Sequence, residues 1–482
     1  MGRYILSDYF KIITDFLLES ESIINKIDEY SIETAIELYD KLERAAWSSS
    51  ENIKEIDSDI RVEICDKLDL LLEHIVDVIS FRQIDERTGV YTPAIHAHRR
   101  WQNVELMKDK GLAGYMLAKE IGATAVMLFG TKPEEYPYLA DLPSLQLLFT
   151  ELKSGLSDVY YDHLRANYNK MNILILHGMY SDTQPYLNEY RKLCPQGKVY
   201  CGLDMSSRWM VQINWSHPYL RHSMAQCDLI ATSCKSLRDE LNRKYTVNFP
   251  CRYFPNGFYN SKNIKIVAEP NMKENTIITV GRIGLKEKNN IELMIAFANV
   301  SDTLKNWKLK LIGSIEPEFQ PTINNFFAAF PDLKNRILFT GAITDKVELY
   351  NEYAKAKIFA LTSISEGLPN VYSEALFHGC MFITSDIDAA DDMTNHGELG
   401  IKYKRGDIEE LTRSLVKLCS NADTFSFLNM TIQLTQHRHF CHRKHRHPLP
   451  EQVLPALALC PDLALKLQLI YLCLSNWHFA TP

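Results

Sequence analysis

The chain has 482 residues, more than one hydrophobic core normally holds, so its length predicts two to four domains. Its 46% hydrophobic and 23% charged residues are typical of a soluble globular protein. A formal net charge of -7 argues against a dedicated nucleic-acid-binding protein. The 11 cysteines show no CxxC pair and no regular spacing, which favours a reducing compartment over a disulfide framework.

The N-terminal segment is acidic. Residues 1–80 contain 19 acidic and 8 basic side chains, and their apolar residues recur at helical spacing. We therefore expect an all-helical appendage over residues 1–85, which is either a small cap on the next domain or a docking surface for a protein partner. The opening residues carry charges within their apolar stretch and lack a small-residue cleavage site, so a cytoplasmic location is expected.

Between residues 86 and 260, short β-rich segments alternate with helical patterns. The candidate strands are VYTPAIH, ATAVMLFG, NILILHG, KVYCGLD, CDLIATSC and CRYFPNG. Such alternation is typical of a parallel sheet with helices on both faces. It predicts a Rossmann-like, doubly wound domain over residues 86–260.

A second series of the same kind follows a turn at Pro255-Asn256-Gly257 and a polar link. Its candidate strands are TIITVG, WKLKLIG, RILFTG, KIFALTS, MFITSD and GIKY, separated by helix-length segments. This series predicts a second doubly wound domain over residues 261–421. The expected fold class is therefore α/β with two Rossmann-like domains that face a cleft, and ligands should bind at the carboxyl ends of the strands.

The last segment, residues 422–482, differs in character. It contains five histidines and a cysteine between His437 and His447, then a leucine-rich run. The histidine spacing matches no closed tetrahedral metal site, so no metal is expected there. Prolines and charges interrupt the apolar run over residues 454–474, so no membrane span is expected either.

The segment SEGLPNVYSEALFHG, directly after KIFALTS, pairs two carboxylates. Glu366 and Glu374 are separated by seven residues, and Gly367 with Pro369 predicts a tight turn into a helix. The free amides and the dipole of that helix end suit an anion. One glutamate is then placed to accept hydrogen bonds from a sugar and the other from a ribose. A capping glutamate with an exposed helical one is the alternative.

The segment TVGRIGLKEKNN places cations at the end of the first strand of the same domain. Gly281 is followed by Arg282, Lys286 and Lys288. Arginine forks and lysine ammonium groups neutralise the negative charge of a departing diphosphate. The two segments together predict a site for a nucleoside diphosphate.

GRIGLKEKN, the LIG strand, FTGAITDKVELYNEYAKAKIFALTS and EGLPNVYSEAL together resemble the retaining family-4 glycosyltransferases of the GT-B fold. The resemblance covers residues 276–421 strongly. It implies that Arg282 and Lys288 bind the diphosphate of the donor, that Glu366 binds the sugar and that Glu374 binds the ribose. Gly341 and Thr344 would border the base. Gly281, Gly367 and Leu368 would complete the donor site.

The first domain resembles the acceptor half of that family in outline, through CDLIATS and FPNGF. KDKGLAGY replaces the usual glycine-rich loop, so Gly111 and Gly114 are the candidates for backbone approach to the diphosphate. A histidine commonly ends the fourth strand in the family. Asp204 stands there in this chain, with His177 one strand earlier, and both are candidates for the acceptor side.

The resemblance implies sugar transfer from a nucleoside-diphosphate sugar to a hydroxyl of a glycan, lipid-linked or protein acceptor, with no cofactor or required metal and no nucleic acid. The expected process is polysaccharide, glycolipid or glycoprotein glycan synthesis. Alternatives are a non-catalytic GT-B scaffold that binds a partner protein and a GT-B nucleotide-sugar epimerase. The basic, aromatic segment His96 to Trp101 is either a solvated loop or a peripheral contact with the inner face of the membrane.

Overall fold

The computed structural model describes residues 89–93, 103–121, 123–129, 135–149, 156–180, 183–244, 251–259 and 273–420. The predicted acidic appendage (residues 1–85), the basic segment at residues 96–101 and the predicted tail (residues 422–482) lie outside these residues. The described residues form two compact units. The first contains the described residues up to Met205 and from Trp209 to Pro255, and the second contains Ser206–Arg208 and the described residues from Asn256 onward. Each unit contains one parallel sheet.

The first unit contains a seven-stranded sheet in the order β3-β2-β1-β4-β5-β6-β7, and all neighbouring strands are parallel. Its strands are β1 Gly89–Pro93, β2 Thr124–Phe129, β3 Leu145–Phe149, β4 Met171–His177, β5 Lys198–Leu203, β6 Leu229–Thr232 and β7 Cys251–Tyr253. The helices between its strands are α1 Asp109–Ile121, α2 Leu156–Asn167, α3 Thr183–Leu193, α4 Ser207–Met210, α5 Pro218–Met224 and α6 Lys235–Lys244, and the first two residues of α4 belong to the second unit.

The second unit contains a six-stranded parallel sheet in the order β10-β9-β8-β11-β12-β13. Its strands are β8 Glu274–Val280, β9 Lys308–Ile312, β10 Ile337–Gly341, β11 Ala356–Leu361, β12 Met381–Ser385 and β13 Gly400–Tyr403. Its helices are α7 Asn290–Asn299, α8 Gln320–Ala329, α9 Lys346–Lys355, α10 Asn370–Phe377, α11 Ala390–Thr394 and α12 Ile408–Cys419. All six strands predicted for this domain are present.

One strand of the first sheet, β3, was not predicted. Its sequence LQLLF follows a proline and leads into a further leucine and two charged residues, a spacing that suits a helix as well as a strand. It is an edge strand in which only Leu145 is buried, and Phe149 at its end is exposed. Short apolar runs of this kind are decided by their neighbours in the sheet, which sequence periodicity does not contain.

Burial explains why the central strands contain continuous apolar runs. Every residue of β12 is buried, and in β8 the run from Thr276 to Thr279 is buried, because helices cover both faces of a parallel sheet. α12 packs a stripe of leucines against this sheet, and Asp407 caps its first turn by accepting a hydrogen bond from the amide of Glu410 at 2.8 Å. The resulting core is apolar and includes residues of the strands and of the helices that cover them.

Among the described residues, none of the helices combines the length and the apolar character needed to cross a bilayer.

Candidate functional site

The two predicted motifs meet at the point where the strand order of the second sheet reverses. β8 and β11 are neighbours, but the chain leaves β8 toward β9 and leaves β11 toward β12. The loops after these two strands therefore diverge and open a crevice at their carboxyl ends. The amide of Ile364 donates to the carbonyl of Glu287 at 2.7 Å, and the hydroxyl of Thr362 donates to the carbonyl of Lys288 at 3.0 Å. The loop of residues 281–289, which we call the cation loop, and the loop of residues 362–369, which we call the glutamate loop, thus lie side by side at one edge of the sheet.

Three glycines end the three adjacent strands β8, β9 and β10. A β-carbon on Gly313 would lie 1.6 Å from the carbonyl oxygen of Gly281, so the backbones approach too closely for any side chain. Gly341 has a φ of +74° and open space where its β-carbon would be. The backbone at this edge is consequently bare, as close approach of a ligand requires. Gly281 and Gly341 therefore lie where the sequence predicted them.

Arg282 and Lys288 differ in their surroundings. The side chain of Arg282 is 63% exposed, and its Nη1 lies 3.8 Å from Oε1 of Glu316. Lys288 is largely buried and forms an ion pair with Glu366. A β-carbon on Gly281 would lie 3.9 Å from Cε of Lys288, so the lysine runs alongside the end of β8. Arg282 is open to an anion from solvent, whereas Lys288 links the two motifs.

Glu366 is held in place from two directions. Its Oε1 accepts hydrogen bonds from the ammonium of Lys288 and, at 3.0 Å, from the hydroxyl of Ser363. Ser363 is fully buried, and its carbonyl accepts a hydrogen bond from the hydroxyl of Ser385 at 2.6 Å. The carboxylate therefore sits on a rigid support while its side chain remains 20% exposed.

Arg405 also holds this loop, although the sequence analysis did not select it. Its guanidinium donates to the carbonyl of Ile364, and its Nε lies 3.3 Å from Oδ1 of Asp386. Arg405 follows β13 and Asp386 follows β12, so the ends of three strands are tied together. Its position after the GIKY strand, like that of Arg282 after TIITVG, was the signal that could have identified it.

Gly367, Leu368 and Pro369 form the turn into α10, as predicted. Leu368 is buried, and its carbonyl accepts a hydrogen bond from the side-chain amide of Asn256 at 2.7 Å. Pro369 occupies the N-cap position, and no side chain among the described residues caps the helix. The first amides of α10 and the positive end of its dipole thus face the same edge as Arg282.

Glu374 lies at the centre of a cluster that we call the Glu374 cluster, formed by Lys346, Tyr353, Glu374 and His378. The ammonium of Lys346 donates to Oε1 of Glu374 at 2.7 Å, and the hydroxyl of Tyr353 donates to Oε2 at 2.9 Å. The side chains of Lys346 and Glu374 are each 14% exposed. The sequence analysis missed both donors. Their seven-residue separation, which puts them on one face of α9, was an available signal.

His378 packs against two other members of this cluster. Its ring stacks on that of Tyr353 with centroids 5.5 Å apart, and its Nδ1 lies 2.5 Å from the carbonyl oxygen of Glu374. Because a carbonyl can only accept, Nδ1 carries the proton. Burial lowers the pKa of His378 to about 3, so the ring is neutral at physiological pH. Burial, and then the Glu374 carboxylate, raises the pKa of Tyr353 well above its ordinary range, which keeps its hydroxyl a donor.

The loop from Gly341 to Thr344 connects β10 to α9. Thr344 is exposed, and Asp345 caps α9 by accepting hydrogen bonds from the amides of Val347 at 2.7 Å and Glu348 at 3.0 Å. The cap places Lys346 at the first position of the helix, from which it reaches Glu374. The loop therefore borders the Glu374 cluster, and its contact with a base remains a prediction.

His177 and Asp204 are brought together at the carboxyl edge of the first sheet. His177 ends β4 and Asp204 directly follows the neighbouring strand β5. Nδ1 of His177 lies 3.9 Å from Oδ2 of Asp109, and Nζ of Lys110 lies 3.6 Å from Oδ2 of Asp204. The start of α1 therefore faces the two predicted acceptor-side residues.

Burial governs the charge of this second group. Burial, and then the negative charge of Asp204, raises the pKa of Asp109 to about 6. Burial, and then the charge of Lys110, lowers the pKa of His177 to about 4. At neutral pH the histidine is uncharged and the exposed Asp204 faces solvent, with 56% of its side chain accessible.

Gly111 and Gly114 do not lie in a loop, contrary to the sequence analysis. Both belong to helix α1, and the amide of Gly111 already donates to the carbonyl of Lys108 at 3.1 Å. A β-carbon on Gly111 would lie 2.3 Å from the carbonyl oxygen of Leu106. This glycine therefore allows the helix to pack against the preceding turn, a requirement that looks the same in sequence as a phosphate loop.

No group of three or more histidine, cysteine, aspartate or glutamate side chains within the described residues is arranged to hold a metal ion.

Residues 274–421 match the family described as glycosyl transferases group 1. The matched segment covers less than half of the chain. It contains the second sheet, the cation loop, the glutamate loop and the Glu374 cluster. The match therefore covers every predicted donor-side residue except the two glycines of α1.

A curated relative is an uncharacterized glycosyltransferase from Haemophilus influenzae, which is 26% identical over 214 residues. The alignment covers 42% of this chain and 55% of that protein, so the chain spans about half the length of the curated relative. The chain is therefore similar to a protein that is named as a glycosyltransferase.

Solved structures show the same fold. Sucrose-phosphate synthase from Thermosynechococcus elongatus aligns with a TM-score of 0.56 at 15% identity, over 82% of this chain and 100% of that chain. The Anabaena protein HepE, solved in complex with UDP, aligns with a TM-score of 0.51 at 14% identity, over 73% of this chain and 95% of that chain. The two parallel sheets are therefore those of the GT-B glycosyltransferase fold.

Proposed function

We propose that the protein is a retaining glycosyltransferase that moves a sugar from a nucleoside-diphosphate sugar to an acceptor hydroxyl. The arrangement at the edge of the second sheet is the observation that carries this proposal. Exposed Arg282, the Lys288–Glu366 pair and the uncapped start of α10 converge beside bare glycine backbone. A diphosphate needs such cations and amides, and a sugar needs such a carboxylate.

The reaction assigns a role to each group. The acceptor oxygen attacks the anomeric carbon, the bond from that carbon to the phosphate oxygen breaks, and the departing diphosphate takes the acceptor proton on the same face. Arg282, Lys288 and the amides of α10 stabilise the charge that grows on the diphosphate. Glu366 accepts hydrogen bonds from the sugar hydroxyls and fixes its orientation. Because these cations already supply positive charge, the proposed reaction needs no metal and no cofactor.

Relatives support the donor class. HepE has been solved in complex with UDP and with UDP-glucose, and its fold matches that of this chain. The family description and the relative from Haemophilus influenzae both name glycosyl transfer. We therefore propose a nucleoside-diphosphate sugar as the donor.

On the acceptor side we propose a glycan, lipid-linked or protein hydroxyl, bound near His177 and Asp204 in the first unit. The process served would be the synthesis of a polysaccharide, a glycolipid or a glycoprotein glycan. The seven cysteines among the described residues are free thiols, which supports a cytoplasmic location. Contact with the inner face of the membrane would bring such an enzyme to a lipid-linked acceptor.

The test is binding and slow hydrolysis of UDP-, GDP-, ADP- and dTDP-sugars by the parent protein, Arg282→Ala and Glu366→Ala, each with and without EDTA. We expect one donor class to bind, at least tenfold weaker binding by Arg282→Ala, slower turnover by Glu366→Ala, and no effect of EDTA. Arg413→Ala is a matched control, because Arg413 is 68% exposed and lies 3.8 Å from its own glutamate.

Absence of binding to every donor by a folded protein would overturn the proposal and favour a non-catalytic scaffold. Release of free, epimerised donor without acceptor would instead favour an epimerase.

A further inference from the structure

Both oxygens of the Glu374 carboxylate are already engaged, one by each of two different donors. Lys346 donates to Oε1 at 2.7 Å and Tyr353 to Oε2 at 2.9 Å. An ionised carboxylate offers about four lone-pair sites, two on each oxygen. One site therefore remains on each oxygen of Glu374.

The side chain of Glu374 keeps part of its surface open to solvent. The side chain of Glu374 is 14% exposed, although Tyr353 beside it is fully buried. Two acceptor sites on neighbouring oxygens of one carboxylate match two adjacent hydroxyls, as in the cis-diol of a ribose. A 2′-deoxyribose offers one hydroxyl and leaves the other acceptor site unused.

The two donors fix the direction in which these sites point. Without them the carboxylate would rotate about its terminal bond, which has broad minima. Tyr353 cannot move easily, because it stacks on His378 with an interplanar angle of 15°. Lys346 is held at the start of α9, and its ammonium also lies 5.6 Å from the ring centroid of Tyr350.

We propose that Lys346 and Tyr353 are positioning residues that orient Glu374 toward both hydroxyls of the donor ribose. They thereby make the site specific for ribonucleoside diphosphates over their 2′-deoxy counterparts. This inference rests on the proposed function, and it narrows the donor to a UDP-, GDP-, ADP- or CDP-sugar while excluding dTDP-sugars.

The experiment measures the dissociation constants of UDP, GDP, ADP and CDP and of the four corresponding 2′-deoxynucleoside diphosphates. For the base that binds, we expect the parent protein to prefer the ribonucleotide by about 10- to 100-fold, because a hydrogen bond to a charged group is lost. In Glu374→Gln the two dissociation constants should differ by no more than about threefold. In Tyr353→Phe and in Lys346→Met the preference for the ribonucleotide should be at least fivefold smaller than in the parent protein. Lys346→Arg should retain part of the preference.

Two matched controls come from the same unit. Tyr403→Phe removes a buried tyrosine hydroxyl that donates to Glu292 at 2.8 Å, and Lys310→Met removes the ammonium that donates to Glu352 at 2.5 Å. Both remove the same type of donor from a carboxylate elsewhere. We expect neither to change the ratio of the two dissociation constants, even where stability falls.

The outcomes separate the two proposals. If no nucleotide of either series binds, the proposed function fails and this inference fails with it. If nucleotides bind but the parent protein does not prefer the ribose form, the inference is wrong and the donor proposal stands. It is also wrong if Tyr353→Phe and Lys346→Met weaken both nucleotides equally, since a purely structural role has that effect.

Discussion

Several of the most informative residues are buried groups whose charge is set by their surroundings. His378 lies between Tyr353 and Phe377, has no solvent contact, and uses Nδ1 for the carbonyl of Glu374. Its Nε2 has no hydrogen-bond partner among the described residues. A second proton on this ring would therefore be buried without an acceptor. The fold stabilises the neutral histidine that supports the Glu374 cluster.

This burial predicts an acid sensitivity. The pKa of His378 is about 3 in the folded protein against an ordinary value of 6.5, so the unfolded chain binds the extra proton more readily. The free energy of unfolding is then fully present above pH 6.5 and is lost as the pH falls toward 3. One group of this kind removes roughly 2 kcal/mol between pH 6.5 and pH 5, at about 1.4 kcal/mol per pH unit.

The measurement is urea unfolding of the parent protein and of His378→Gln at pH 7 and at pH 5. The variant starts less stable, but its loss between the two pH values should be smaller than that of the parent by roughly 2 kcal/mol. Exposed His396 supplies the control variant His396→Gln. Because Asp109 and His177 titrate equally in all three proteins, they cancel in the comparison. Equal losses would show that His378 is protonated at no extra cost.

At the scale of elements, the ends of β8, β9 and β10 form the backbone of the proposed donor site. The amide of Gly281 donates to the carbonyl of Ile312 at 3.0 Å, and that of Gly313 donates to the carbonyl of Gly341 at 2.9 Å. The strands therefore remain paired up to the glycines. The glycines then leave the edge without side chains, so that a ligand can approach the backbone.

Two glycine-to-alanine variants separate the effect of a steric clash from the effect of backbone strain at this edge. Gly313→Ala would put a methyl group 1.6 Å from a backbone oxygen, so we expect a loss of at least about 1 to 3 kcal/mol and a distorted edge. Gly341→Ala meets no atom within 4 Å, so its loss should be the left-handed strain of about 1 to 2 kcal/mol. Thermal unfolding measures both losses.

Nucleotide affinity shows whether Gly341→Ala affects binding in addition to stability. If a base or ribose lies against the loop from Gly341 to Thr344, the added methyl group should weaken binding at least fivefold in a protein that is still folded. Unchanged affinity in a folded variant would place the nucleotide away from this loop.

The sequence predicted the second sheet better than the first, for physical reasons. All six strands from β8 to β13 are apolar runs buried by helices on both faces, and helix-length segments separate them, so pattern alone defines them. β3 is a partly exposed edge strand without such a pattern. Gly111 shows the opposite problem, because a glycine that permits helix packing has the same sequence appearance as one in a phosphate loop.

The donor motifs were predictable because each follows a strand directly. Arg282 and Glu366 lie within a few residues of the ends of β8 and β11, and parallel strands bring such ends to one edge. Lys346 and Tyr353 were not predicted, because their partner is a helix about twenty residues further along the chain. Their spacing shows that they share one face of a helix, but it does not show which helix that face contacts, because pairing between helices depends on tertiary packing.

At the scale of the whole molecule, the net charge of the chain does not predict the local charge at the carboxyl edge of either sheet. The chain carries a formal charge of -7, yet the edge of the second sheet presents Arg282 to solvent. The edge of the first sheet presents Asp204, beside a neutral His177. These opposite local charges agree with the proposed function, in which the edge of the second sheet binds the anionic donor and the edge of the first sheet accepts hydrogen bonds from hydroxyl groups.

We therefore expect substitutions at the two edges to affect different quantities, which are the rate of transfer to an acceptor and the affinity for the donor. Asp204→Asn removes an exposed charged acceptor, so transfer to an acceptor should lose about 10- to 100-fold in kcat/KM, the usual effect of losing a hydrogen bond to a charged group. Donor affinity should remain unchanged, because the residues of the proposed donor site all lie in the second unit. Arg282→Ala should show the reverse pattern, with weakened donor binding at every acceptor concentration.

The measurement pairs a donor dissociation constant with an acceptor-dependent rate for each variant. Asp162→Asn is the control, because Asp162 is 77% exposed in the same unit and pairs with Arg165 at 3.5 Å. Equal loss of donor affinity in Asp204→Asn and Arg282→Ala would mean that the first sheet also binds the donor. In that case the acceptor would have to be recognised elsewhere, since Asp204 is the exposed carboxylate that the first sheet offers beside His177.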